Sequence, residues 1–394
     1  MNIYEQLGSL PIRLKEPDPI QIGNASIGRG QSAFIVAEIG TSHNGNLDTA
    51  ERLIEKAAEA GADCAKFQAV FAEEIVHPQT GNIQLPGGPT PLFEVFKRIE
   101  READFYGKLK RLTESAGLIF LCTPFGAKSA RILKDLKVDA VKIASPEINH
   151  LPLIEEVASW DVPVVLSTGV STMADIELAL SILPEHTVVL HCVTVYPAPE
   201  AESNLLCVPV LSAGFGKLTG ISDHSLDPAL LPALSVVLGG CVIEKHFTLD
   251  RGAGGLDDPV ALTPLQFKEL TETVRAVESM SPVDGFAFLI DRYSEQRISA
   301  VLGDGVKRPS KTECNYYRTT NRSIMAVRNI EEGATIVPEA VALLRSEKNL
   351  IPGLPPRMMP IILGKKVYRD IKNGSGVRWE DLLHACEQDG LFGG

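Results

Sequence analysis

Several things are missing from this 394-residue chain, and each absence excludes a class of protein. Its seven cysteines (Cys64, Cys122, Cys192, Cys207, Cys241, Cys314, Cys386) are odd in number and none forms a CxxC pair, which argues against a disulfide framework and against a structural zinc cluster. Cys64, Cys122 and Cys241 sit inside apolar strand-like runs and read as small buried hydrophobes. Basic residues are in deficit: 38 Lys and Arg against 50 Asp and Glu leave a net charge of -12, so the average surface repels a polyanion and non-specific nucleic-acid binding is disfavoured. No run of about 18 apolar residues is available to cross a bilayer. The first twenty residues carry Glu5, Glu16 and Asp18 and lack the apolar core of a secretory signal, so a cytoplasmic protein without a membrane partner is expected. What is present, 44% hydrophobic and 22% charged residues, is ordinary for a folded, core-forming protein.

From Phe34 onward, short apolar runs alternate with stretches of helical period, the pattern of βαβ units around a parallel sheet. Eight runs (34–39, 64–67, 118–122, 140–143, 163–166, 187–192, 217–221 and 241–243) are separated by helix patterns, of which the sixth crossover, near 205–213, is the weakest. Eight strand–helix repeats over about 250 residues is the arithmetic of a (β/α)8 TIM barrel. Before it, 20–22 and 25–27 flank Gly23-Asn24, a hairpin signal able to plug the barrel's lower end. The stretch 70–92, rich in Gly and Pro, is too long for a plain connector and reads as a functional loop over the site. The expected domains are a barrel over 1–285, a polar linker over 286–321 and a small C-terminal domain over 322–385 with strand patterns at 323–327, 341–345, 366–368 and 376–379.

Barrel chemistry gathers at the C-terminal ends of the strands, so the polar residues closing each run are site candidates. Run by run they are Glu38; Lys66 with Gln68, which share a face because strand side chains alternate; Thr123; Lys142, Ser145 and Glu147; Ser167, Thr168 and Gly169; His191, Thr194 and Tyr196; Ser222, Asp223 and His224; and Glu244, Lys245, His246 and Asp257. Two lysines among several hydroxyls suit a small dianion or trianion such as a phosphorylated carboxylate. His224 and His246, on neighbouring strands with Glu38 and Asp257 nearby, can hold a divalent metal. Taken singly each residue has a plainer role: a lysine as an ion-pair partner, Ser167–Gly169 as a helix cap, His191 as a core residue, and His77, His150, His186 and His384 as surface or loop residues. Convergence of so many polar strand ends on one rim favours a site.

In these same segments, among them Phe34-Ile-Val-Ala-Glu-Ile-Gly-Thr-Ser-His-Asn-Gly45, Lys142-Ile-Ala-Ser-Pro-Glu-Ile-Asn149 and Glu244-Lys-His-Phe-Thr248, the chain resembles the sialic acid synthase family, including its spore-coat polysaccharide relatives. The part from 322 to 383 resembles the antifreeze-like (SAF) domain that follows the barrel there. The resemblance implies condensation of phosphoenolpyruvate with an N-acetylmannosamine-type sugar, giving a nonulosonic acid and phosphate. It implies that Lys66, Thr123, Lys142, Ser145, Ser167 and Ser222 form the phosphoenolpyruvate pocket, that His224 and His246 ligate manganese or magnesium, and that Glu38, Gln68, Glu147, Tyr196 and Asp257 orient the sugar and the metal's water. Arg345 matches an arginine extended into a partner's site, implying a domain-swapped homodimer. The chain departs from the family pattern at Ser42, at Thr194, over 70–92 and in the Leu-Arg-Ser around Arg345, which points to a different acetamido sugar. Two other readings stay open: a Schiff-base aldolase acting on a 2-keto acid through Lys142 or Lys66, and a non-enzymatic binding module.

Overall fold

The computed structural model describes residues 16–85 and 88–383, so the readings made on the first fifteen residues, on His384 and on Cys386 lie outside the described residues. Strands β1 (Ile20–Ile22) and β2 (Ala25–Ile27) pair antiparallel around Gly23, whose φ of 54° is the left-handed value that such a turn demands of glycine. Then come β3 (Phe34–Gly40), β4 (Cys64–Ala69), a small hairpin of β5 (Asn82–Leu85) and β6 (Gly88–Pro91), and β7 (Ile119–Pro124), β8 (Val141–Ile143), β9 (Val164–Ser167), β10 (Thr187–Cys192), β11 (Thr219–Asp223) and β12 (Val242–His246). Eight of these form one parallel sheet in the order β7-β4-β3-β12-β11-β10-β9-β8, with its two end strands adjacent in space, which makes a nearly closed TIM-type barrel. The strands are buried on both faces because helices cover the outside and side chains fill the inside, which is why they appear in the sequence as near-continuous apolar runs.

Helices cover the barrel for local reasons. In Leu47–Glu59, Asn46 accepts the Thr49 N–H at 2.9 Å as N-cap, and Ala50, Leu53, Ile54 and Ala57 face the sheet at helical spacing. The weak sixth crossover is helical as well, over Cys207–Phe215, and stops at Gly216 with φ 64°. At the lower end Ile20, Ile22 and Ile27 of the hairpin pack on Phe34, Val36 and Leu190, closing the barrel floor as expected. Among the described residues no helix is long and apolar enough to cross a membrane.

The expected linker needs correction. Residues from 286 onward continue in two helices, Pro282–Tyr293 and Glu295–Leu302, whose Leu289, Ile298 and Val301 are buried in the barrel's main core. Even the following stretch, 303–321, buries Lys307, Glu313 and Asn321. Residues 286–302 carry apolar positions at helical spacing, and the polar run that follows Leu302 conceals that they continue the barrel.

The C-terminal domain pairs β13 (Arg322–Ala326) with β14 (Val341–Arg345) antiparallel and has its own core, including Ile324, Ile336, Val367 and Val377. The further strands expected at 366–368 and 376–379 are single bridges, Thr335 to Lys366 and Met325 to Gly376. The segment 70–92 seats this domain. Thr80 donates its hydroxyl to the Ser346 carbonyl at 2.9 Å and accepts the Asn349 N–H at 3.1 Å, His77 meets Asn373 at 2.9 Å, and Val76 bridges to Arg345. His77 and His150 lie in loops, as expected, but are buried instead of at the surface, His77 beneath the domain and His150 against Glu147.

Candidate active site

The pleat and the register of the strands create the mouth of the barrel. Every second residue points inward, so Glu38, Lys66, Gln68, Thr123, Lys142, Ser167, Ser222, Glu244 and His246 converge where the strands end. Register aligns Glu38 with Lys66 and with His246, Gln68 with Thr123, and Ser222 with Glu244. Gly40 lets the chain turn away here at φ 56°; a Cβ there would stand 3.1 Å from Gln68 Nε2 and 3.3 Å from Glu38 Oε1.

On the floor of the mouth, charges alternate. Lys66 Nζ lies 2.9 Å from Glu38 Oε2 and 3.4 Å from Glu244 Oε1, and Lys142 Nζ lies 3.8 Å from the same Glu244 oxygen. Gln68 Nε2 donates to Glu38 Oε1 at 2.7 Å and Ser222 Oγ to Glu244 Oε1 at 2.9 Å. Isolated buried ammonium groups would be prohibitively costly, so each lysine is matched by a carboxylate. Burial opposes the charge of Lys66, but Glu244 and Glu38 outweigh it and hold the ammonium above the usual lysine range. For Lys142 burial dominates and the pKa falls to about 8, while Glu244, raised by burial but more strongly lowered by Lys142 and Lys66, sits at about 2. The hydroxyls of Thr123 and Ser167 are buried and have no hydrogen-bond partner, which marks them as donors for a ligand. Ser145 Oγ accepts the Gly169 N–H at 2.9 Å beside them.

Next to this floor stand the two imidazoles. The His224 and His246 ring centroids are 5.3 Å apart, with the Tyr196 ring stacked on His224 at 4.1 Å and Asp257 Oδ2 at 3.8 Å from His246 Nδ1. His224 donates from Nδ1 to the Val193 carbonyl at 2.8 Å, so Nε2 is the nitrogen that would face a metal once its proton is lost. Burial and neighbouring His224 push His246 down to about 3, so it is a neutral donor; burial raises Asp257 to about 6. Burial alone would lower His224, but the Cys192 thiol and the Val193 carbonyl carry it up to about 9, so a metal there would displace a proton. Among the described residues no third His, Cys, Asp or Glu completes a ready cluster. Two imidazoles alone are only part of a coordination shell, so a divalent ion there would take its remaining positions from water and substrate. His191, by contrast, is a core residue: its Nε2 meets the Ser203 carbonyl at 2.6 Å, and burial pushes it down to about 3.

Glu147 and Arg345 form a separate group. Glu147 is fully buried between Arg322 Nε and Arg345 Nη2, each 2.7 Å from one carboxylate oxygen, with His150 Nδ1 at 3.1 Å. Arg345 reaches the barrel of its own chain in this structure and lies over the Phe125 ring. Two guanidinium groups, one on each oxygen, hold the Glu147 carboxyl well below its ordinary range, so it anchors the arginines instead of taking up a proton. The sequence marks Glu244 as a strand-end candidate without giving it a role, and offers no sign of Arg322 or Glu313, whose partners on the barrel lie more than a hundred residues away.

The chain is thus a TIM-type barrel whose mouth joins paired lysines, unpartnered hydroxyls and two imidazoles, with a small C-terminal domain on its rim. The chain belongs to the NeuB family, which matches residues 53–283, and its residues 321–383 match the SAF domain. It is 34% identical to the spore coat polysaccharide biosynthesis protein SpsE of Bacillus subtilis, over 92% of this chain and 97% of that one. The crystal structure of SpsE covers 93% of this chain and 99% of its own, with a TM-score of 0.78. It is also 31% identical to the N,N'-diacetyllegionaminic acid synthase of Legionella pneumophila (90% of this chain, 96% of that one). The human N-acetylneuraminate-9-phosphate synthase is 30% identical over 90% of this chain and 94% of its own.

Proposed function

We propose that this protein condenses phosphoenolpyruvate with an N-acetylmannosamine-type sugar, releasing phosphate and forming a nonulosonic acid. The observation that carries this reading is the floor of the mouth, where Lys66 and Lys142 share Glu244 while the buried Thr123 and Ser167 hydroxyls have no partner. A phosphate ester that also bears a carboxylate uses ammonium charge and hydroxyl donors together. The relatives named as legionaminic acid and N-acetylneuraminate-9-phosphate synthases support the sugar-acid product.

Lys66 and Lys142 hold the enol phosphate, and Thr123, Ser145 and Ser167 donate to its oxygens while Ser222, whose proton goes to Glu244, fixes that carboxylate, so that C3 faces the aldehyde carbon of the sugar. Tyr196, Gln68 and Asp257 line the sugar side, and Arg345, held by Glu147, closes it. The enol π pair forms the C3–C1 bond as the aldehyde C=O π bond opens to an alkoxide, and C2 becomes an oxocarbenium; water adds to C2, and its proton passes by way of a carboxylate, for which Glu38 stands nearest His246 in register, to the alkoxide. The bond from C2 to the phosphate oxygen then breaks as the new C2 hydroxyl becomes the keto group, its proton leaving with phosphate. A manganese or magnesium ion bound by His224 and His246 would supply Lewis-acid polarisation of the aldehyde oxygen. In a domain-swapped homodimer, the contact between Arg345 and Glu147 would be made between two copies.

A phosphate-release assay with phosphoenolpyruvate, manganese and a panel of acetamido-mannose and 6-deoxy sugars tests the proposal. Release that requires one of the sugars supports it. No release with any sugar, from a folded protein that has been loaded with metal, contradicts it.

A further inference from the structure

We infer that Glu313 and Asn321, on the stretch joining barrel and C-terminal domain, are positioning residues that clamp Val170 in a left-handed conformation and thereby hold the Ser145–Gly169 side of the phosphate cradle. Val170 is a buried, β-branched residue with φ 42°, a conformation that such side chains rarely adopt unless the surroundings impose it. Both ends of the residue are held from the same stretch of chain. Its N–H donates to Glu313 Oε1 at 2.7 Å, and its carbonyl accepts from Asn321 Nδ2 at 3.0 Å.

The same Glu313 oxygen also accepts the Thr194 N–H at 2.7 Å, while Oε2 accepts the Ser310 N–H at 2.8 Å. One buried carboxylate therefore ties the end of β9 to the end of β10. Between them the fit is close: a Cβ on Gly169 would stand 1.9 Å from Thr194 Oγ1 and 3.0 Å from Ser145 Oγ. If Val170 relaxed to negative φ, the Gly169 N–H would turn away from Ser145 Oγ, and the hydroxyl beside unpartnered Ser167 would lose its orientation. The clamp uses three N–H donors on one carboxylate, so an amide in its place would set an NH2 group against a donor.

The inference rests on the reading of Ser145 and Ser167 as phosphoenolpyruvate contacts, and its test separates the two. In Glu313→Ala, kcat/KM for phosphoenolpyruvate should fall on the order of 10²-fold, mostly through KM. Adding Val170→Gly, which accepts positive φ without strain, should recover at least about tenfold of that loss. Independently of activity, amide exchange in a peptide covering 166–175 should speed up in Glu313→Ala while the strands on the opposite side of the barrel stay protected. If Glu313→Ala does not fold, Asn321→Ala carries the same two readouts with smaller changes. Unchanged exchange at 166–175, or loss of activity that Val170→Gly does not relieve, overturns the clamp. Accelerated exchange in an enzyme that never releases phosphate would leave the clamp standing and remove the substrate assignment.

Discussion

Arg345 Nη2 stands 2.7 Å from Glu147 Oε1, and this ion pair joins a strand of the C-terminal domain to the loop after β8 of the barrel. Arg322, wholly buried, completes the join from the other side of the carboxylate and also donates to the carbonyls of Leu343 at 3.0 Å and Phe125 at 2.8 Å. Removing one partner of a buried pair costs about 3–5 kcal/mol, because the other charge is left without compensation. Arg322→Ala is accordingly expected to loosen the C-terminal domain by that order, seen in urea unfolding as an earlier transition. An unchanged midpoint would contradict the join.

The same pair sets an acid limit. Burial would raise Glu147, but Arg322 and Arg345 outweigh it and hold the carboxyl well below its ordinary value of 4.5. A depressed carboxylate stabilises the fold above its unfolded value, and that contribution is lost as pH falls from about 4.5 towards the lower folded value. Thermal melting below that pH is expected to fall more steeply in wild type than in Glu147→Gln. Parallel curves would count against the assignment.

Lys142, with its pKa lowered to about 8, should impose an alkaline limb on kcat/KM for phosphoenolpyruvate, since deprotonation removes charge from the phosphate side. Glu244 opposes that lowering, so in Glu244→Gln the limb is expected to move to still lower pH. Lys142→Arg should abolish it. A limb only near the ordinary lysine value of roughly 10.4 would show that burial does not govern this group.

For the imidazole pair, His246→Ala is expected to abolish turnover with the fold intact by circular dichroism. Chelator treatment of the wild type should do the same, reversed by added manganese. Full activity in metal-depleted buffer would refute the role given to His224 and His246.

Much of this architecture could be read from the chain because strands buried on both faces leave unbroken apolar runs, and the residues closing them face the mouth by simple alternation. Lys66, Gln68 and Ser222 were legible in that way. Arg322 was not, since nothing local distinguishes it from a surface arginine; only Glu147, 175 positions earlier, makes its burial possible. Glu313 was hidden likewise in a stretch whose polarity resembles a linker, although its carboxylate is spent on backbone N–H groups of the loops after two barrel strands. The role of 70–92 as a seat was concealed because the surface it meets belongs to a domain more than two hundred residues further on.

The most direct measurement follows carbon and phosphate together. Enzyme, manganese, phosphoenolpyruvate and the preferred acetamido sugar are incubated with and without borohydride, and phosphate, product mass and protein mass are recorded. One phosphate per sugar consumed, a product carrying the three added carbons and an unmodified protein are the expected results. A borohydride-trapped pyruvyl adduct on Lys142 or Lys66, or phosphate released without any sugar, would contradict condensation at this barrel mouth.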